Sequence, residues 1–468
     1  MAAYLLFEVM VMLLSRLNDV VWSPWLLGLF LAAGLYYSLR TGFFQLFRIP
    51  LWLRTTFGAM LRRRGRGNGR GISQFQALAT ALASTIGTGS IAGVATAIWF
   101  GGPGAVFWMW VSALLGMMTG CAEKLLSVRY RRAGPEGWLG GPMYYIRDGL
   151  KSPLLAGWFA LACLPATLTG GDMVQSSSIA AALQATFGWD RLAVGAAVAV
   201  LTGLVMVGGI GRIARVSSGL VPAMALLYLG GGAAVLAARA DQIPEAMALI
   251  FCSALRPEAA VGGGMGYTLA AALRYGVARG VFTNEAGLGT SAMAHAAAEV
   301  DCPARQGMWG IVEVCVSTLL VCTATALVIL VSGVYGPADA LVRGALGAVP
   351  PDRLGAPLTA AAFSSVLGPW GGAVVSLSLL LFAFSSILGW SWYGEQSILY
   401  LTGSRRLVPA YRLVFLSCVV LGSVWEGEAV WELVDLCNAL MAIPNLTALL
   451  LLSPQVLREL RDWERTGG

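Results

Sequence analysis

Charge is scarce in this sequence. Only 12% of its 468 residues are charged, about half the share usual in a soluble domain. Lysine occurs twice, as Lys124 and Lys151, and His295 is the only histidine. The eight cysteines show no CxxC spacing, which argues against a Cys/His metal site and leaves them as small buried hydrophobes. A lone histidine and scattered thiols supply no convergent nucleophile and base, so an enzyme is not expected. No basic segment precedes the first apolar stretch as a cleavable signal peptide would require. The apolar runs do not alternate with period two, which argues against a β-barrel. No filter-like repeat or ring of charge suggests a channel. What is abundant is apolar surface: 57% of residues are hydrophobic and mean hydropathy is +0.73. A soluble fold could not hide that much, so the chain reads as an all-α polytopic membrane protein. Its net charge of +7 fits basic cytoplasmic loops rather than nucleic-acid binding.

About eleven segments reach the roughly 20 apolar residues that a bilayer core needs. They run near 20–38, 75–98, 104–128, 154–186, 192–210, 216–238, 266–298, 307–333, 371–400, 408–425 and 430–452. Residues 1–14 are apolar but too short to span. The stretch from Leu39 to Gln74 carries Arg40, Arg48, Arg54, Arg62, Arg63, Arg64, Arg66 and Arg70 without one acid, so it is expected inside. Alternation then puts Lys124, Arg129, Arg131, Arg305, Arg405 and Arg458 on the same side. The N-terminus falls outside and the C-terminus inside. Residues 42–61 read as an interfacial helix, and 334–370, with five prolines, as an outer loop or short helix.

An internal repeat is visible. Gly87-Thr88-Gly89-Ser90 matches Gly287-Leu288-Gly289-Thr290 at an offset of 200, which also brings Pro103 onto Pro303. Each Gly-x-Gly sits in a hydrophobic segment that opens a set of five spans. Five is odd, so the second set enters the membrane from the opposite side, as in an inverted-topology repeat. The expected organisation is 1–74, an N-terminal transmembrane helix with a basic cytoplasmic interfacial segment; 75–238, the first five-helix repeat; 239–265, an extracytoplasmic loop; 266–452, the second repeat; and 453–468, a cytoplasmic tail. Carriers built this way bind near the midplane, between the broken first helices of the two halves.

Four polar groups stand out inside spans. Two glycines around Thr88, flanked by Ser84, Thr85 and Ser90, suit either an unwound helix or close packing of small residues. Asn284 and Glu285 beside Gly287 are costly in mid-span unless they face a cavity or a partner; Glu285 paired with Arg279 or another buried base as a strut is the alternative. Ser386 and Trp390 share a helix face, with back-bonding of the serine and simple packing as the plainer reading. Asp172 lies one turn from Gln175 and is either a coupling carboxylate or a residue at a bend after Gly170-Gly171. Glu313 and Asp435 are further acids within spans. His295, in an Ala-rich stretch, reads as helix termination.

The runs Thr85–Gly93, Gly140-Gly141-Pro142-Met143-Tyr144-Tyr145-Ile146, Arg279–Gly287 and Phe382–Glu395 resemble the alanine or glycine:cation symporter family. These are sodium:alanine symporters within the amino acid–polyamine–cation superfamily. The resemblance extends from Asn18 to Leu452. It implies a LeuT-like inverted 5+5 repeat preceded by one extra N-terminal helix, and sodium-coupled import of a small neutral amino acid, alanine or glycine. It further implies substrate contacts from Gly87, Thr88, Gly89, Ser90, Gln175, Phe282, Thr283, Asn284, Ser386 and Trp390. The sodium site it implies uses carbonyls of Ala83 and Ile86 with the hydroxyls of Ser385 and Ser386. Three positions depart from the family pattern: Ser90 and Asp172 stand where Asn is usual, and Ser317 where Asp is usual, with Glu313 one turn earlier. Asp172, Glu285 and Glu313 are therefore the candidate coupling carboxylates.

These readings lead to a sodium symporter in a bacterial cytoplasmic membrane. Its expected partners are a small amino acid, Na⁺ and the lipid bilayer. No cofactor, other metal, nucleic acid or obligate protein partner is expected. A proton-coupled or exchange-type carrier of the same fold is the alternative, and a non-transporting amino acid sensor belongs to a different class.

Overall fold

The computed structural model describes residues 2–61, 71–134, 137–255, 269–335, 355–425 and 428–466. Helices dominate, because a chain inside lipid must satisfy its backbone hydrogen bonds within each segment. Prolines open many of them, at a position whose N–H would find no intrahelical acceptor. The chain starts with α1 (Ala2–Val21) and α2 (Pro24–Arg40). A single turn, α3 (Phe44–Phe47), and α4 (Ile49–Leu61) follow, within the expected interfacial segment; Arg62 to Arg70 lie outside the described residues. Then come α5 (Gln74–Thr85), opened by a Ser73–Gln76 capping box, α6 (Val94–Gly101) and α7 (Gly104–Arg129).

A short hairpin, β1 (Arg132–Gly134) with β2 (Gly137–Leu139), leads through Gly140 and Gly141 into α8 (Pro142–Gly149). Asp148 fastens the hairpin to α8, accepting from Arg132 (2.8 and 3.1 Å) and Arg147 (3.0 and 3.3 Å). Burial alone would raise this carboxyl; the two guanidinium groups override it and hold it below the usual carboxylate range. The third repeat span is α9 (Pro153–Leu168), a π-turn at Thr169–Met173, and α10 (Val174–Phe187). It is followed by α11 (Arg191–Met206), α12 (Gly209–Ala238) and α13 (Ile243–Leu255).

The second half holds α14 (Leu269–Asn284), α15 (Ala292–Ala296), and α16 (Pro303–Val314) joined through a π-turn at Cys315–Cys322 to α17 (Thr323–Val331). It ends with α18 (Ala356–Leu367), α19 (Pro369–Thr402), α20 (Val408–Val424), α21 (Glu428–Leu451) and α22 (Ser453–Arg465).

Among the described residues seven helices are long and apolar enough to cross a bilayer, and nine if each of two bent pairs counts as one span. All nine coincide with expected spans. The two expected spans that fall short, 192–210 and 266–298, carry α11 and α14, of 16 residues each. The expected outer loop 239–265 contains α13, and its residues from 256 onward lie outside the described residues. So do residues 336–354 of the 334–370 stretch, whose later part is α18. Residues 2–14, too short to span alone, belong to α1, which meets α2 at a bend of 43°. Its Asn18 donates to the Glu432 carbonyl (2.7 Å), and Trp22 donates to the Asp435 carbonyl (2.9 Å).

The centre is built by close backbone approach. A Cβ on Gly310 would lie 2.5 Å from the Gly120 carbonyl oxygen, so α7 and α16 meet almost backbone to backbone, as small residues allow in membranes. Both helices that open a repeat are broken. The first stops at Thr85 and resumes as a π-turn over Gly89–Gly93, bent by 53°. The second stops at Asn284, passes through positive φ at Glu285, Gly287 and Gly289, and resumes only as the short α15.

Candidate functional site

The two breaks face each other across a small cavity. Its walls are Ser84, Thr85, Gly87 and Gly89 from the first broken helix and Phe282, Glu285 and Leu288 from the second. Gly170 and Gln175 of the third span, Trp390 of α19, and Val434 and Asn438 of α21 complete it. The volume is about 20 Å³, room for about one water. An amino acid therefore enters only if a wall moves.

Each wall is positioned by tight packing. A Cβ on Gly87 would meet the Ser386 hydroxyl oxygen at 2.5 Å and Gln175 Oε1 at 3.1 Å. Gln175 in turn accepts from the Thr88 N–H (3.3 Å) and donates to the Gly170 carbonyl (3.0 Å). Phe282 lies against Gly89, and Trp390 against Gly171. Ser386 donates to the carbonyls of Ala83 (3.0 Å) and Ser84 (3.2 Å). Ser385 lies within reach of the same Ala83 carbonyl (3.2 Å) and of Phe382 O (2.8 Å). Hydroxyl and carbonyl oxygens thus converge where α5 ends, a donor set that suits a hard cation.

Several expected residues sit behind the wall rather than in it. Thr88 Oγ1, Ser90 Oγ and Asn284 Nδ2 are buried without a hydrogen-bond partner among the described residues. Asn284 Oδ1 accepts from the Ala286 N–H (3.0 Å), and Thr283 donates to the Arg279 carbonyl (2.7 Å). Ile86 closes α5, its N–H bonded to the Leu82 carbonyl (2.8 Å). Both carboxylate oxygens of Asp172, in the π-turn of the third span, are buried and unpartnered among the described residues. The nearby Tyr411 hydroxyl of α20 donates instead to Thr167 (3.1 Å).

A buried ionic cluster holds the second break. Lys124 lies 3.4 Å from Glu123 Oε2 and 3.2 Å from Glu313 Oε2, all three side chains fully buried. Glu123 Oε1 accepts from the Gly287 N–H (2.8 Å) and from Asn445 Nδ2 (2.7 Å). Asn445 also donates to the Gly287 carbonyl (2.9 Å) and accepts from the Tyr145 hydroxyl. The positive-φ Gly287 is thereby gripped at both its backbone groups.

This cluster bears on four expectations. Lys124 is not a cytoplasmic loop charge, because α7 runs on to Arg129 and keeps it inside. His295 does more than end a helix: it is buried between Glu313 (3.2 Å) and Gln306 (2.6 Å). Glu313 sits in the cluster, 3.2 Å from Lys124, and does not line the cavity wall. Glu285 accepts from the Thr290 hydroxyl, while Arg279 lies over the rings of Phe282 and Trp431, so no Glu285–Arg279 strut forms. Sequence reasoning missed Glu123, Asn438 and Asn445. A mid-span Asn on the last repeat helix was the available signal for the two asparagines.

The profile of the sodium:alanine symporter family matches residues 7–467. The sodium/alanine symporter AgcS of Methanococcus maripaludis is 41% identical over 456 residues, covering 96% of each chain. A Bacillus subtilis protein named as a putative sodium/proton-dependent alanine carrier, YrbD, is 36% identical, covering 96% of this chain and 92% of its own. Among solved structures, a mutant manganese transporter of Eremococcus coleocola superposes with a TM-score of 0.52 at 18% identity, over 81% of this chain and 79% of that one. That likeness carries the fold alone, the LeuT-like arrangement of a membrane transporter.

Proposed function

We propose that this chain, which belongs to the sodium:alanine symporter family, imports alanine or glycine together with Na⁺ by alternating access. Cation-coupled amino acid symport is the general activity that membership carries; the ion, the substrate and the residue roles are our reading. One observation supports it most: Gly87 lies between the Ser386 hydroxyl and the Gln175 amide, in a cavity whose wall includes the rings of Phe282 and Trp390. The polar groups suit a zwitterion, and the two rings leave room only for a small side chain.

In this reading Na⁺ takes the carbonyls of Ala83 and Ile86 and the hydroxyls of Ser385 and Ser386, and so orders the first break. The amino acid then lies against Gly87, Thr88, Gly89 and Ser90 on one side and Phe282, Thr283 and Asn284 on the other. Gln175, Ser386 and Trp390 close it in. The repeats at 75–238 and 266–452 rock about this centre, in a bacterial cytoplasmic membrane with the N-terminus outside. A cavity of about 20 Å³ supports such movement, since neither substrate fits without it. Uptake of labelled alanine or glycine into proteoliposomes is expected to collapse when choline replaces Na⁺; uptake indifferent to the exchange overturns sodium coupling.

Asp172 favours a second reading, with a proton as coupling ion. A bare carboxylate buried without a donor or cation is costly in a membrane, so the group calls for a positive partner. The second reading expects an inside-alkaline gradient to drive uptake without Na⁺ in the native protein and not in Asp172→Asn. Sodium-driven uptake left intact by that substitution, with no pH-driven component, assigns coupling to Na⁺ alone.

A further inference from the structure

At the end of α2, on the side of the basic loop, a cavity of about 400 Å³ opens between α2 and the C-terminal α22. Arg40, Arg458, Arg461 and Arg465 line it, with Asp462 as the one acid, and Tyr36. Four guanidinium groups therefore face one carboxylate. The neighbouring cavity on the other side of α22, about 450 Å³, is balanced: Arg129 and Arg458 face Glu459 and Asp462. Nearby arginines also have acids of their own, Arg48 with Glu464 and Arg129 with Glu459. None of the four in the first cavity has an acidic partner among the described residues.

The apolar face of α22 (Val456, Leu457, Leu460 and Trp463) is buried in the protein, which holds its arginines toward the cavity. Arg40 is steadied over the Tyr36 ring at 5.7 Å. One helix position away, Leu35 and Leu39 are exposed, Leu39 by 60%. Four residues apart, they form an apolar stripe on α2 that starts at the cavity's edge.

We propose that this cavity binds the phosphodiester headgroup of an anionic membrane lipid, whose acyl chain lies along Leu35 and Leu39. Guanidinium forks match phosphate oxygens in pairs, and basic pockets beside the ends of membrane helices suit anionic headgroups. The apolar stripe beside the charge favours a lipid over a free anion. The site is separate from the transport cavity and stands whichever ion or amino acid is carried.

The test measures binding to purified full-length protein in detergent, by native mass spectrometry and thermal shift. The probes are phosphatidylglycerol, phosphatidylcholine and inorganic phosphate. Phosphatidylglycerol is expected to bind and raise the unfolding midpoint, and the other two to do neither. The pair Arg458→Gln and Arg461→Gln is expected to weaken that binding by about 10- to 30-fold. The pair Arg54→Gln and Arg215→Gln removes the same charge from exposed positions outside the cavity and is expected to leave binding unchanged. Equal binding of the two lipids, equal loss in the two variant pairs, or a full response to inorganic phosphate each overturns the proposal.

Discussion

Replacing Lys124 by methionine is expected to cost about 3–5 kcal/mol of stability. The substitution keeps the volume and removes the ammonium that lies 3.4 Å from Glu123 and 3.2 Å from Glu313. Two carboxylates then remain fully buried with their common cation gone, and uncompensated buried charge is what makes such losses large. The damage reaches the second break directly, because Glu123 holds the Gly287 N–H. Uptake should fall with stability. Lys151 provides the control: it is exposed, so Lys151→Met should stay within about 0.5 kcal/mol. Thermal and denaturant unfolding of both variants measures the difference. Adding Glu313→Gln to Lys124→Met should recover part of the loss, and the cycle gives the coupling between the two residues. Equal stability of the two lysine variants would remove the cluster as the element that fixes the second break.

Replacing Gly87 by alanine is expected to act on ligand binding instead. The new Cβ would sit 2.5 Å from the Ser386 oxygen and 3.1 Å from Gln175 Oε1, so both must retreat. Overpacking of this kind costs about 1–3 kcal/mol, or about 5- to 150-fold in affinity if it falls on the site. The amino acid and the ion should both lose affinity, since Ser386 is assigned to both. Gly93 lies in the π-turn that follows the same break, and a Cβ there meets nothing within 4 Å. Gly93→Ala should therefore bind like the native protein. Titration of both variants by calorimetry separates the cases, and an unchanged Gly87→Ala would mean that the site lies elsewhere.

Most of the architecture was legible because hydropathy and helix length are bound to bilayer thickness. The two breaks were legible for a related reason: Gly-x-Gly beside hydroxyls and an acid is a poor continuous helix and recurs at Gly87 and Gly287. Much of the cavity wall followed from these breaks, with Gln175 and Trp390 singled out by helical spacing and given a substrate role by the family resemblance. The ionic cluster was hidden. Glu123, Lys124, His295, Glu313 and Asn445 come from four helices, and no spacing in one segment announces that they meet. Lys124 was misread because it precedes Arg129, Arg131 and Arg132, so the basic run seemed to begin one turn too early. Of the π-turns, Thr169–Met173 was legible as a bend after Gly170-Gly171, while Cys315–Cys322 left no composition of its own to read. Asn438 and Val434 reached the wall through packing of α21, which periodicity does not reveal.

The most direct test of the central claim is calorimetric titration of the purified protein with glycine and with L-alanine, each with Na⁺ and with choline in its place. Linked sites require that each ligand change the other's affinity by the same factor. The account predicts amino acid binding that appears with Na⁺ and is lost in choline, with Na⁺ binding strengthened equally by the amino acid. Binding indifferent to Na⁺, or no binding of either amino acid, would contradict it.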